Sequence, residues 1–150
     1  MLNEIELLNK YDETQVTFID KINNNSWPKW KQWKECSQEE KDKANLRQLF
    51  PSEIILDFED KQLIEQTKEK LKAASYHYFL YNSGSRGVHF HLFFDNLAFY
   101  TEEQRTQIRK LFIREYTADE TKSSEKTLIA MCERPHFKTL KTKEFAEEQW

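Results

Sequence analysis

The chain holds only two glycines, and both fall inside one five-residue stretch, Ser83-Gly84-Ser85-Arg86-Gly87. Glycine is the residue that reaches left-handed backbone conformations without steric cost. A chain that uses it at no other point demands an unusual backbone there. The stretch is flanked by two apolar runs, Tyr76 to Tyr81 and Val88 to Phe94, so it predicts the turn of a β-hairpin.

The neighbouring pattern extends that hairpin into a larger unit. Glu53 to Phe58 reads as a strand centred on Ile54, Ile55 and Leu56. Asp60 to Leu71 reads as a helix, with Leu63, Ile64, Thr67 and Leu71 along one side. Thr101-Glu102-Glu103-Gln104 is a capping box that opens a helix running to about Tyr116, and Lys126 to Met131 is a further strand. The order β-α-β-β-α-β predicts an α+β fold of the ferredoxin-like (RRM-like) split type. Ahead of it, Leu2, Ile5 and Leu8 predict a short helix. Asp12 with Gln15 predicts a second helix to about Asn23, and the capping box Ser37-Gln38-Glu39-Glu40 a third that ends before Pro51. The expectation is one domain over 1–150, with a helical N-terminal part at 1–50 and a catalytic unit at 51–145.

Composition narrows the function classes. With 23 basic and 26 acidic residues the net charge is −3, so nucleic-acid contact must come from a local patch. Cys36 and Cys132 form no Cys-x-x-Cys pair, and no zinc is expected. No apolar run approaches membrane-spanning length, and Met1-Leu2-Asn3-Glu4 does not read as a signal peptide, so a cytoplasmic location without membrane contact is expected.

Four constellations carry potential chemistry. Asp57 and Glu59, two apart at a strand end, share a face and would repel each other without a cation. Magnesium or manganese suits such oxygen donors. The plainer reading is a strand entering solvent. The glycine turn adds the Ser83 hydroxyl and the Arg86 guanidinium, both suited to phosphate, though every hairpin needs a turn. His89 and His91 share one face of the next strand and suit a metal, a phosphate or a sugar. Arg134-Pro135-His136-Phe137-Lys138-Thr139 is either a triphosphate-binding segment or a solvated basic loop. Trp27, Trp30 and Trp33, interleaved with lysines, suit stacking on template bases and equally suit a core.

Together these pieces resemble the archaeo-eukaryotic primase superfamily. An apolar strand ending in acid-x-acid matches Ile54-Ile55-Leu56-Asp57-Phe58-Glu59. The pattern Ser-Gly-x-Arg-Gly-x-His is met at every fixed position by Ser83-Gly84-Ser85-Arg86-Gly87-Val88-His89. A third acid matches Asp119, after Ala118, with Asp95 and Glu115 as the alternatives. The His-x-Lys-Thr ending is met by His136-Phe137-Lys138-Thr139, with the family's proline displaced to Pro135. The resemblance spans Glu53 to about Lys143. It lacks the large insertion and zinc knuckle of the cellular enzymes, as in a compact version. It implies a DNA primase or primase-polymerase, a template-directed nucleotidyltransferase. Two magnesium or manganese ions would sit on Asp57, Glu59 and Asp119, and Ser83, Arg86, His89, His136 and Lys138 would hold the nucleotide. The implied partners are single-stranded DNA template, nucleoside triphosphates and a helicase- or large-subunit-like protein.

Two rival readings use the same residues. His89-Phe90-His91 also matches the His-hydrophobic-His signature of replication-initiator nucleases, with Tyr116 as nucleophile. A non-catalytic RNA- or single-stranded-DNA-binding module on the same fold is the other.

Overall fold

A computed structural model describes residues Met1 to Trp150. In chain order the elements are α1 (Glu4–Lys10), β1 (Gln15–Thr17), β2 (Ile19–Asp20), β3 (Asn25–Ser26), β4 (Lys31–Gln32), α2 (Gln38–Lys43) and β5 (Leu46–Arg47). They continue with β6 (Glu53–Phe58), α3 (Lys61–Ala73), β7 (Tyr78–Asn82), β8 (Val88–Phe93), α4 (Glu102–Glu115), β9 (Ile129–Ala130) and β10 (Glu144–Gln149). The fold is α+β, with four α-helices and antiparallel sheets. No helix is long and apolar enough to cross a membrane.

The main sheet has the order β10-β7-β8-β6. Alternation along its strands sorts the side chains onto two faces. Ile54, Leu56 and Phe58 of β6 join Val88, Phe90 and Leu92 of β8 and Tyr78 and Leu80 of β7 on one face. Leu71 of α3 and Ile113 of α4 pack into the same cluster, so both helices cover that face. Both helices start where expected: Asp60 accepts hydrogen bonds from the Gln62 and Leu63 amides, and Thr101 and Gln104 close the capping box of α4.

The other face carries Glu53, Ile55 and Asp57 opposite Phe93, His91 and His89. It is covered by a second sheet of order β4-β1-β5-β9, and Leu49 and Ile129 pack on Ile55. At its centre Arg47 is fully buried. Its two terminal nitrogens donate to Glu53 at 2.7 and 2.9 Å, and its Nε donates to Glu4 at 2.7 Å. His91 Nδ1 lies 2.8 Å from the same Glu53 carboxylate.

Three expectations need correction. The helix from Asp12 to Asn23 does not form. Val16, Thr17 and Ile19 are β-branched, and the Gln15 and Thr17 carbonyls accept from the Gln48 and Asn45 amides, some thirty residues away. The N-terminal part is thus two short helices and several short strands rather than a helical segment, and α2 ends at Lys43 so that Arg47 can enter β5. The strand expected at Lys126 to Met131 shrinks to β9 and pairs with β5 in the second sheet, not beside β6. The main sheet takes its fourth strand from β10, the acidic tail, which pairs with β7 at the opposite edge.

Candidate functional site

Three segments far apart in sequence are stitched into one cleft, and the two glycines permit it. Gly87 has φ +75°, and a Cβ there would lie 1.9 Å from the Phe58 carbonyl oxygen. The hairpin turn therefore sits against the end of β6, beside Asp57 and Glu59. Gly84 has φ +84°, and its Cβ would lie 2.7 Å from the Lys141 carbonyl oxygen. Thr139 Oγ1 donates to the Gly84 carbonyl at 2.6 Å, tying the His136–Thr139 loop to the same turn.

The cleft so formed measures about 510 Å³. Asp57, Glu59, Ser83, Arg86, His89, His136 and Lys138 all line it, seven of the eight residues that the resemblance assigned to metal and nucleotide. The acids lie at the end of β6, His89 is on β8, and Arg86 and Lys138 are exposed on the turn and the loop.

Hydrogen bonding decides what each side chain is free to do. Ser83 is buried; its hydroxyl donates to the Arg86 carbonyl at 2.7 Å and accepts from the Ser85 amide at 3.3 Å, so it braces the turn. His136 Nδ1 accepts from the Lys138 amide at 3.1 Å. The neutral ring therefore carries its proton on Nε2, which is left for a ligand. Burial, then the charges of Lys138 and Lys143, push His136 below the usual histidine range.

Burial, with the Lys143 charge second, pushes His89 down to about 4, so its ring is neutral at pH 7. Its Nε2 lies 3.6 Å from Asp57 Oδ2, beyond hydrogen-bond distance, and its buried Nδ1 has no partner. Burial acts to raise the Asp57 carboxyl, but His89, Lys122 and Lys143 outweigh it and hold the group below its usual range.

Asp119 stands apart from the cleft lining. Its carboxylate caps the 3₁₀ turn Glu120–Ser123, accepting from Thr121 N at 3.0 Å and Thr121 Oγ1 at 2.8 Å. Its amide donates to the Asp57 carbonyl at 3.3 Å, so its backbone adjoins Asp57, and both turn bonds use Oδ1, which leaves Oδ2 free. The tryptophan segment takes its core alternative at Trp33, which is buried and donates from Nε1 to Asn9 at 3.0 Å. Tyr116 is buried among the residues of the helix-covered face, on the other side of the sheet from His89 and His91.

Two lysines carry no motif signal. Lys122 lines the cleft with its Nζ 3.9 Å from Asp57 Oδ2. Lys143 is fully buried, donating to the Ala130 carbonyl at 3.0 Å and lying over the Tyr81 ring. An apolar flank around Lys143 would have flagged it, but the sequence around it is charged.

The donor set fits one divalent cation of the magnesium or manganese kind. Asp57 and Glu59 supply two hard oxygen ligands at the cleft wall, and such ions take one or two carboxylates plus substrate phosphates. No protein-family model, curated protein or solved structure matches this chain.

Proposed function

We propose that the chain is a metal-dependent, template-directed nucleotidyltransferase of the primase-polymerase kind. One observation carries the reading: acid-x-acid, the Ser-Gly-x-Arg-Gly-x-His turn and His-x-Lys line a single cleft although they are spread from residue 57 to residue 138. Independent loops would have no reason to meet there. The run β6-α3-β7-β8-α4 is read as the split unit, with its last strand diverted to the second sheet.

The residues divide the work by charge. Asp57 and Glu59 hold the divalent cation, which when bound supplies charge neutralisation at the α-phosphate and activation of the attacking 3′-hydroxyl. Arg86 and Lys138 face the triphosphate, and His136 offers its Nε2 proton to a phosphate or sugar oxygen. Ser83 keeps the turn in shape. His89, neutral beneath Asp57, lets the carboxylate stay ionised without pairing it to a fixed cation. The reaction joins the 3′-oxygen to the α-phosphorus and releases pyrophosphate, and the protein contributes mainly position and electrostatics.

The rivals lose support on geometry. A replication-initiator nuclease needs a reachable tyrosine, and Tyr116 is buried across the sheet. It also needs two histidines free for metal, whereas His91 is fully buried and held by Glu53. A binding module of RRM type needs an open sheet face, and both faces are covered near their centres.

The test is the product pattern from single-stranded DNA templates with labelled ribo- and deoxynucleoside triphosphates, magnesium or manganese, with and without primer. We expect oligonucleotide products that fall at least about 100-fold in Asp57→Ala, a transition-state loss of ~3 kcal/mol, while that variant's unfolding midpoint stays close to wild type. Wild-type turnover in Asp57→Ala would sink the assignment. Products in the primer-free lane would make the enzyme a primase.

A further inference from the structure

Lys122 is the one lysine or arginine whose charge meets Asp57 directly. Its Nζ is 3.9 Å from Asp57 Oδ2, and both side chains are about one-fifth exposed, 19% each. The contact is built into the backbone. The turn that presents Lys122 is capped by the Asp119 carboxylate, and the Asp119 amide donates to the carbonyl of Asp57 itself. Thr127 Oγ1 donates to the Thr121 carbonyl at 2.8 Å and closes the turn from the other side. Asp119 thus shapes the turn that brings the Lys122 ammonium to Asp57.

We infer that Lys122 is an exchangeable cation: it neutralises Asp57 while the cleft is empty, yields to the divalent ion, and then turns its ammonium to the nucleotide's phosphates. The inference rests on the nucleotidyltransferase reading, since it takes Asp57 as the metal-binding acid. Its physical basis is competition. A carboxylate already paired with an ammonium binds a metal less tightly, because the incoming ion must displace that charge or sit beside it. Once displaced, a lysine on a short, hydrogen-bonded turn at the cleft wall has only the triphosphate to pair with. Lysine suits the task better than arginine because its compact charge sits on a flexible stem.

Opposite signs follow for two ligands, which a purely structural lysine would not produce. Manganese binding is read by electron paramagnetic resonance on the full chain without nucleotide. ATP binding is read by calorimetry in saturating magnesium, the state in which the ion has displaced Lys122 from Asp57. In Lys122→Gln we expect manganese affinity to rise about two- to fivefold and ATP affinity to fall about two- to fivefold, the range for a partly exposed ion pair. Lys122→Arg should recover ATP affinity. Asp57→Asn should abolish the manganese site. If wild type has a manganese site that Asp57→Asn removes, and Lys122→Gln binds manganese no more tightly, the inference is overturned and the reading stands. If wild type has no manganese site sensitive to Asp57→Asn, both fall.

Discussion

At Gly87 a single methyl group decides whether the cleft exists. A Cβ placed there comes within 1.9 Å of the Phe58 carbonyl oxygen, and no side-chain rotation relieves the clash, because the opposing atoms are backbone. The positive φ adds its own penalty for any residue with a Cβ. At Gly84 the approach is 2.7 Å to the Lys141 carbonyl oxygen, a milder overlap than at Gly87. Gly87→Ala should therefore cost about 3 kcal/mol and Gly84→Ala about 1–2 kcal/mol, within the range for strained backbone sites. Urea unfolding of the two variants checks the order. Equal costs would mean that the hairpin turn can lift off β6, and the stitching of the acids to the phosphate-facing turn would lose its basis.

Among the elements, the decisive joint is the buried one between β5, β6 and β8. Arg47, Glu53 and His91 meet there without solvent. Burial acts to raise Glu53, yet Arg47 and His91 outweigh it and hold the carboxyl well below its usual range. Burial, then the Lys143 charge, pushes His91 down to about 3. The sign is the same for both. Below pH 6.5 the unfolded chain takes up a proton at His91 that the folded chain refuses, so stability falls as pH drops from 6.5 toward 3. The Glu53 contribution is present above pH 4.5 and is lost further into acid. At pH 5 the His91 share is about 2 kcal/mol. Unfolding free energies from urea melts at pH 7 and pH 5 should differ by that much less in His91→Gln than in wild type; an unchanged difference would show that His91 does not carry the acid sensitivity.

Elements with a strong local signal are legible in the sequence. β6, α3, the β7–β8 hairpin and α4 form where periodicity and capping predict them. The β1 and β9 pairings are not legible, because Gln15–Thr17 and Ile129–Ala130 are extended by partners distant in the chain rather than by their own pattern. The site divides the same way. Motif residues with a fixed spacing stand out, whereas Lys122 and the buried Lys143 emerge only from folding, since a lysine in a charged stretch looks like any solvated one. Asp119 lies in the neighbourhood its motif suggests, with one carboxylate oxygen engaged by its own turn.

On the scale of the whole molecule, the first fifty residues are not an appendage to a catalytic unit. β5 pairs with β9, which lies beyond α4, and Glu4 accepts from the Cys132 amide at 2.9 Å while holding Arg47. Removing 1–50 would uncover Ile55, His91 and Glu53 and strip Glu53 of Arg47. Losing one partner of a buried pair typically costs about 3–5 kcal/mol, comparable with much of a small domain's stability. Arg109 would not compensate, because its guanidinium holds the Glu53, Phe50 and Pro51 carbonyls and the Glu125 carboxylate but not the Glu53 carboxylate. A chain beginning at Pro51 should therefore show no cooperative thermal transition and no manganese site, although it retains every motif residue. Adding a separate peptide of residues 1–50 should restore both, because the interface is built of pairings that two chains can make as well as one. A cooperative transition in the fragment alone would show instead that the sheet, α3 and α4 form a self-sufficient unit, and that the second sheet serves only to wall the cleft.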